Sequence, residues 1–190
     1  MTSKAAHDLA LARKTKTLKK GSVYLFLGGE DREKTVPLTI VEQLVKNRGL
    51  NGIVVTLDSP VSVWAKRLDK RGVNLSNVFF VDMASKEREY IIDYLRLNVD
   101  APNYYIAENV HSLIELSSII VKETEKKKYG FLLLDAPSTL FEANPQEFAD
   151  NFLNYLSSKL REFGFIGIMT CERAKYNNSI EKHADRIIRL

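Results

Sequence analysis

Short apolar runs alternate with amphipathic stretches along this chain. Val23–Leu27, Gly52–Leu57, Val78–Val81, Phe131–Leu134 and Phe165–Met169 are almost wholly apolar and rich in β-prone residues. Such runs are expected of strands buried on both faces. Between them the spacing changes to the helical period. Leu38, Val41, Leu44 and Val45 predict a helix over Thr35–Asn47, with Pro37 in its first turn and Gly49 as its stop. Val61, Trp64, Ala65 and Leu68 predict a second helix, opened by Asp58-Ser59-Pro60 and closed by Gly72. Ile91, Tyr94 and Leu95 mark a helix over Glu87–Leu97. Leu113, Leu116, Ile119 and Ile120 mark another, running from Asn109 to about Lys127. Phe148, Phe152, Tyr155, Leu156 and Leu160 form the strongest stripe. Tyr104–Ile106 reads as a short strand or an extended loop, and Arg186–Leu190 as an edge strand. Strand and helix in strict alternation imply βαβ crossovers and a buried parallel sheet. The expected fold is a three-layer α/β/α sandwich. Residues 1–20 are expected to form a basic extension with a short helix, and residues 21–190 one domain.

Composition changes this picture little. Hydrophobic residues make up 45% and charged residues 27% of the 190, an ordinary balance for a soluble domain with a sizeable core. The net charge of +4 is uneven. Arg13, Lys14, Lys16, Lys19 and Lys20 form one run, and Lys126–Lys128 another. Such a run suits nucleic acid, an anionic surface or an acidic partner, or simply solvent. Cys171 is the only cysteine, which excludes an intrachain disulfide and cysteine-based zinc clusters. His7, His111 and His183 lack metal-ligand spacing. No apolar stretch is long enough to span a bilayer, and no secretion signal is visible, so a cytoplasmic location is expected.

The most informative segment follows the first strand: Gly28-Gly29-Glu30-Asp31-Arg32-Glu33-Lys34-Thr35. A phosphate loop reads G-x-x-x-x-G-K-[ST] between a strand and a helix. Gly28, Lys34 and Thr35 fill their positions, while Glu33 stands in place of the second glycine. Glycine there frees the backbone to turn its N–H groups toward phosphate. Glutamate instead adds bulk and negative charge, and Glu30 and Asp31 add more. Repulsion of a triphosphate is expected.

Other candidates end strands. Asp135 follows Phe131–Leu134, where an acid in phosphate-loop proteins helps hold magnesium. It reads equally as a cap or turn residue. Asp58 follows the second strand, on the edge where ligands of open α/β sheets sit. It is a weak candidate for a general base and equally an N-cap. Asp82 carries the same ambiguity. Thr170, Cys171, Glu172 and Arg173 follow the Phe165–Met169 strand; a polar residue among them is a candidate γ-phosphate sensor and the segment reads equally as an ordinary strand-end loop, and Cys171 lacks a histidine partner in sequence. Trp64 reads as packing against the sheet.

These residues together resemble the RecA/KaiC-like ATPases, especially archaeal-type single-domain members. Gly21–Gly28 is similar to the lead-in to the family's phosphate loop. Ile53–Leu57 with Asp58-Ser59-Pro60 resembles its second strand and catalytic acid region. Asn109–Leu116 resembles the start of the helix before the magnesium-site strand, Leu132–Asp135 that strand, and His183–Leu190 the segment after the sensor region. The resemblance implies a RecA-like, mostly parallel central sheet and a nucleotide site at Gly28, Glu33, Lys34, Thr35 and Asp135, with Thr35 and Asp135 on magnesium when Mg-nucleotide binds. The family commonly has two adjacent glutamates where this chain has Asp58-Ser59. Together with Glu33, that implies weak or absent hydrolysis. The expected function is a catalytically impaired ATPase-like regulatory or scaffolding module. The alternatives are a weak or specialised ATP-binding enzyme and a nucleic-acid-binding protein using the basic N-terminal segment. No cofactor is expected beyond ATP or ADP with magnesium as candidate ligands. The expected partner is another protein or a second copy, through RecA-like surfaces, with nucleic acid less favoured and no membrane insertion.

Overall fold

A computed structural model describes the backbone of residues 3–28, 35–85, 103–176 and 178–190, with side chains from residue 9 onward in those ranges. Residues 29–34 of the loop and the expected helix over Glu87–Leu97 lie outside the described residues.

Among the described residues, seven strands form one sheet: β1 (Ser22–Gly28), β2 (Gly52–Thr56), β3 (Val78–Asp82), β4 (Asn103–Ile106), β5 (Phe131–Asp135), β6 (Ile166–Glu172) and β7 (Arg186–Arg189). Their order is β4-β3-β2-β5-β6-β1-β7, and each neighbouring pair is parallel. The helices are α1 (Ser3–Lys16), α2 (Val36–Glu42), α3 (Val61–Asp69), α4 (Leu113–Lys126), α5 (Ser138–Ala143), α6 (Gln146–Glu162) and α7 (Asn178–Glu181). The helix expected over Thr35–Asn47 is split, since its last turn, Gln43–Asn47, widens into a π-turn.

The alternation of side chains along each strand divides the core into two layers. Tyr24, Phe26, Val54, Phe80, Leu133 and Ile168 face α1, α2 and α3. Leu25, Ile53, Val55, Val81, Leu132 and Met169 face α4, α5, α6 and α7. Phe26, Phe80 and Phe131 are completely buried, and each such burial contributes about 1.5–3 kcal/mol. Gly52 shows how tightly the strands are matched. Its register partner is Phe131, and a Cβ at position 52 would lie 1.9 Å from the Phe131 ring. Only glycine lets that ring cross the start of β2.

The N-terminal helix is packed on the domain. Leu11, Thr15 and Leu18 are buried at helical spacing, whereas Leu9 is 47% exposed. Arg48 donates from Nη1 to the Thr15 and Leu18 carbonyls near the end of α1, where unpaired carbonyls and the helix dipole favour a cation. Lys14 Nζ reaches the Arg189 carbonyl at 3.3 Å, joining α1 to β7. Among the described residues, no helix is long and apolar enough to cross a membrane.

Strand direction and connection place the site. The chain leaves β2 toward α3 on one face of the sheet and leaves β5 toward α5 and α6 on the other. β2 and β5 are neighbours. The gap between their carboxyl ends is therefore a topological switch point, where open α/β sheets place ligands.

Candidate functional site

A polar row crosses this edge of the sheet. Thr170 at the end of β6 is the register partner of Asp135. Asp135 is that of Thr56 at the end of β2, and Thr56 that of Asp82. All four share the face that packs against α1, α2 and α3, two residues beyond Ile168, Leu133, Val54 and Phe80. All four are buried. Four polar side chains end four adjacent strands beneath two helices, in a place where every hydrogen bond matters.

Asp82 has a structural role. Its Oδ2 accepts from the Val61 N–H at 2.8 Å and the Ser85 hydroxyl at 2.6 Å, and its Oδ1 from the Ala84 and Ser85 N–H groups, both at 2.9 Å. The carboxylate closes the turn after β3 and caps the first turn of α3 from the neighbouring strand. This corrects the expectation that Asp58 or Ser59 caps that helix. Pro60 occupies the N-cap position without a side-chain bond, and Val61 turns its N–H to Asp82.

Asp135 has only one side-chain donor among the described residues, the Thr170 hydroxyl, which reaches its Oδ1 at 2.6 Å. Burial pushes its pKa from 3.8 up to about 7; the Thr170 hydrogen bond opposes the rise and the Asp58 charge adds to it. The next residue, Ala136, has a φ of +54°, a left-handed conformation that side chains other than glycine's resist. Its N–H donates to the Thr170 carbonyl at 3.0 Å. Asp135 is thus tied to β6 through both the side chain and the backbone of Thr170.

A cleft of about 150 Å³ opens beside Asp135, with Asp58, Ser59, Pro37, Trp64 and Arg67 on its walls. Asp58 is exposed at its mouth. Trp64 is buried, packing as expected while also forming a wall. Arg67, one helical turn further along α3, brings the cleft a cation. It went unnoticed in the sequence, where the only hint is its spacing of three from Trp64 on a helix that leaves this edge. Thr56 was also missed. Its Oγ1 is a buried side-chain oxygen with no hydrogen-bond partner among the described residues. Nothing in a strand-end threonine signals that without the register.

The remaining candidates fall around this centre. Gly28 ends β1, buried and opposite Glu172 of β6. Thr35 stands at the N-cap of α2, and Pro37, just inside that helix, lines the cleft. Glu33 and Lys34 lie outside the described residues. Cys171 is buried, and that burial lifts its thiol to about 11, so it is a poor nucleophile at neutral pH. His183 is buried and bonded through Nε2 to Asp150 on α6, at 3.0 Å. Among the described residues, no group of three or more His, Cys, Asp or Glu side chains is placed to hold a metal ion.

No protein-family model matches the chain, and comparison with curated proteins finds no relative. Among solved structures, it is similar to a KaiC-like protein from the hyperthermophilic archaeon Pyrococcus horikoshii. The TM-score is 0.63 over 90% of this chain and 71% of that one, at 16% sequence identity. The likeness is one of fold. It supports the RecA/KaiC-like reading of the sheet and leaves activity to the residues themselves.

Proposed function

We propose that this protein is an ATPase-like module with an impaired hydrolytic site, serving a regulatory or scaffolding role. The observation that carries this reading is the segment after β1, where Glu33 stands in place of the second glycine between Gly28 and Lys34. At the cleft, Asp58 is an exposed carboxylate followed by Ser59 rather than by a second acid, and the other carboxyl, Asp135, is buried and bonded to Thr170. Glu33 adds negative charge to the loop that would have to receive phosphate.

The donors present bear on magnesium. That ion is commonly held by one or two carboxylates together with phosphate oxygens. Asp135, with one side-chain donor, and the cleft beside it fit that pattern, so Thr35 and Asp135 are the residues that would hold it. Magnesium would supply charge neutralisation to the phosphates.

A second reading, a weak or specialised ATP-binding enzyme, is favoured by Arg67, which gives the cleft a cation suited to phosphate. ATP turnover separates the two. The scaffold reading expects a rate indistinguishable from buffer; turnover that Lys34→Ala abolishes would overturn it.

A further inference from the structure

One edge of the sheet gathers positive charge from both halves of the sequence. Among the described residues β7 is the outermost strand on the β1 side, and its middle residues, Ile187 and Ile188, pack into opposite core layers. Arg186 and Arg189 flank them and are exposed. By strand alternation Arg186 shares the face of Ile188, on the α1 side, and Arg189 the face of Ile187; they lie about 10 Å apart along the strand. Lys14 of α1 reaches the Arg189 carbonyl at 3.3 Å, so the basic end of α1 runs against this edge. Arg13, Lys16, Lys19 and Lys20 are exposed on α1 and the segment after it.

We propose that this α1/β7 edge binds the phosphodiester backbone of a nucleic acid without reading its sequence, with Arg13, Lys14, Arg186 and Arg189 on the phosphates. The first supporting observation is that the charge is free. Among the described residues none of these four forms an ion pair. A carbonyl partner leaves Lys14 its full charge. The nearby acids are already engaged: Asp185 pairs with Arg161 at 3.0 Å and accepts from the Val23 N–H at 2.7 Å, and Glu172 lies 3.8 Å from Lys175. Arg173 donates to the Leu190 oxygen at 2.7 Å, which adds a further cation at the end of the strand.

The second is that the charge is held in place. Leu11, Thr15 and Leu18 are buried, and Arg48 bonds the Thr15 and Leu18 carbonyls. The cations of α1 are therefore presented by a docked helix, and binding orders little more than their side chains. Guarding an open sheet edge takes one or two charges. That would account for Arg186 and Arg189 and not for the run on α1.

The third is the lack of an apolar anchor. A lipid surface is bound by cations beside an apolar wedge, and a protein partner around an apolar or aromatic core. Of the exposed large hydrophobic side chains on the described surface, only Leu9 lies on α1; Ile114, Phe148, Tyr155 and Phe163 are on or just after α4 and α6, on the opposite layer. Cations alone suit a phosphate polymer, where they supply essentially all of the sequence-independent affinity, and the arginine fork matches phosphate geometry.

This inference goes beyond the proposed function and uses no residue of the cleft, so the two can fail separately. Its test is fluorescence anisotropy of the full chain with a labelled duplex DNA and a single-stranded RNA of equal length. Affinity for the duplex is expected to fall roughly 100-fold between about 50 and 200 mM salt, as four phosphate contacts require. The probe bound more tightly names the nucleic acid. Arg186→Glu/Arg189→Glu should weaken binding roughly 50-fold or more at about 100 mM salt and halve the salt dependence. Both residues are exposed, so the fold should be retained. Lys14→Gln, on a different element, should weaken binding about 5-fold. Lys122→Glu/Lys128→Glu makes the same change of net charge at exposed lysines on and after α4, and should leave affinity within about 3-fold of wild type. No salt-dependent binding to either probe overturns the proposal, as does an equal loss in the two double variants. Tighter binding to phosphatidylserine vesicles at equal phosphate concentration overturns it in favour of a membrane. Displacement by polyglutamate as effective as by unlabelled duplex overturns it in favour of an acidic protein.

Discussion

The ends of β3 and β5 make the same sequence statement, an apolar run closed by aspartate, and the molecule uses them in opposite ways. Asp82 and Asp135 are buried on the same face and are both register partners of Thr56 on the strand between them. Asp82 accepts four hydrogen bonds, three from backbone N–H groups, and its capacity is filled by the chain itself. Asp135 accepts one from a side chain and faces the switch-point cleft. A buried acid can be stabilised by donors or by retaining its proton. Asp82 is surrounded by donors, whereas burial pushes the Asp135 pKa up to about 7, which leaves Asp135 able to respond to a cation or to pH.

Breaking Asp82 should have the largest effect. Asp82→Ala strands three N–H groups and the Ser85 hydroxyl, so a loss of about 3–5 kcal/mol is expected in denaturant unfolding. A loss under 1 kcal/mol would remove its structural role.

Asp135→Asn should act in the opposite direction. A carboxyl whose folded pKa is raised contributes most stability below its ordinary value near 3.8 and loses it as pH climbs through about 7. Asparagine keeps an acceptor for Thr170 and carries no charge. The variant should be roughly 2–4 kcal/mol more stable than wild type at pH 8, with the advantage vanishing toward pH 4. Unfolding curves across that window check it; an advantage independent of pH would contradict the assignment. Thr170→Val should push the midpoint higher still, because the hydroxyl that favours the ionised form is gone.

The smallest effect belongs to Thr56. Among the described residues its buried oxygen has no partner, so Thr56→Val should be neutral or stabilising by up to about 1 kcal/mol. Marked destabilisation would mean the hydroxyl is engaged in solution.

Much of this was legible in the chain. The apolar runs gave the five central strands, because burial on both faces writes itself into composition; Tyr104–Ile106, read as a short strand or an extended loop, and Arg186–Leu190, read as an edge strand, fall in β4 and β7 at the two edges of the sheet, where burial is partial. The candidates Asp58 and Asp135 do line one cleft, because strand ends of a parallel sheet share an edge. What stayed hidden depends on contacts distant in sequence. Asp58 looks like a cap from its neighbours, yet the cap comes from Asp82, 21 residues beyond Val61, whose N–H it accepts. The basic run reads as a solvated tail, yet Leu11 and Leu18 anchor it, and Lys14 meets Arg189, 175 residues on. The pairing of Thr170 with Asp135 follows from register, which no local pattern encodes.

The central claim concerns the cleft, and calorimetric titration of Mg-ATP into the wild type and Glu33→Gly tests it most directly. The account predicts no measurable binding to the wild type and binding in the glycine variant, with Glu33 as the block. Micromolar binding to the wild type would contradict it and make the protein a working nucleotide site.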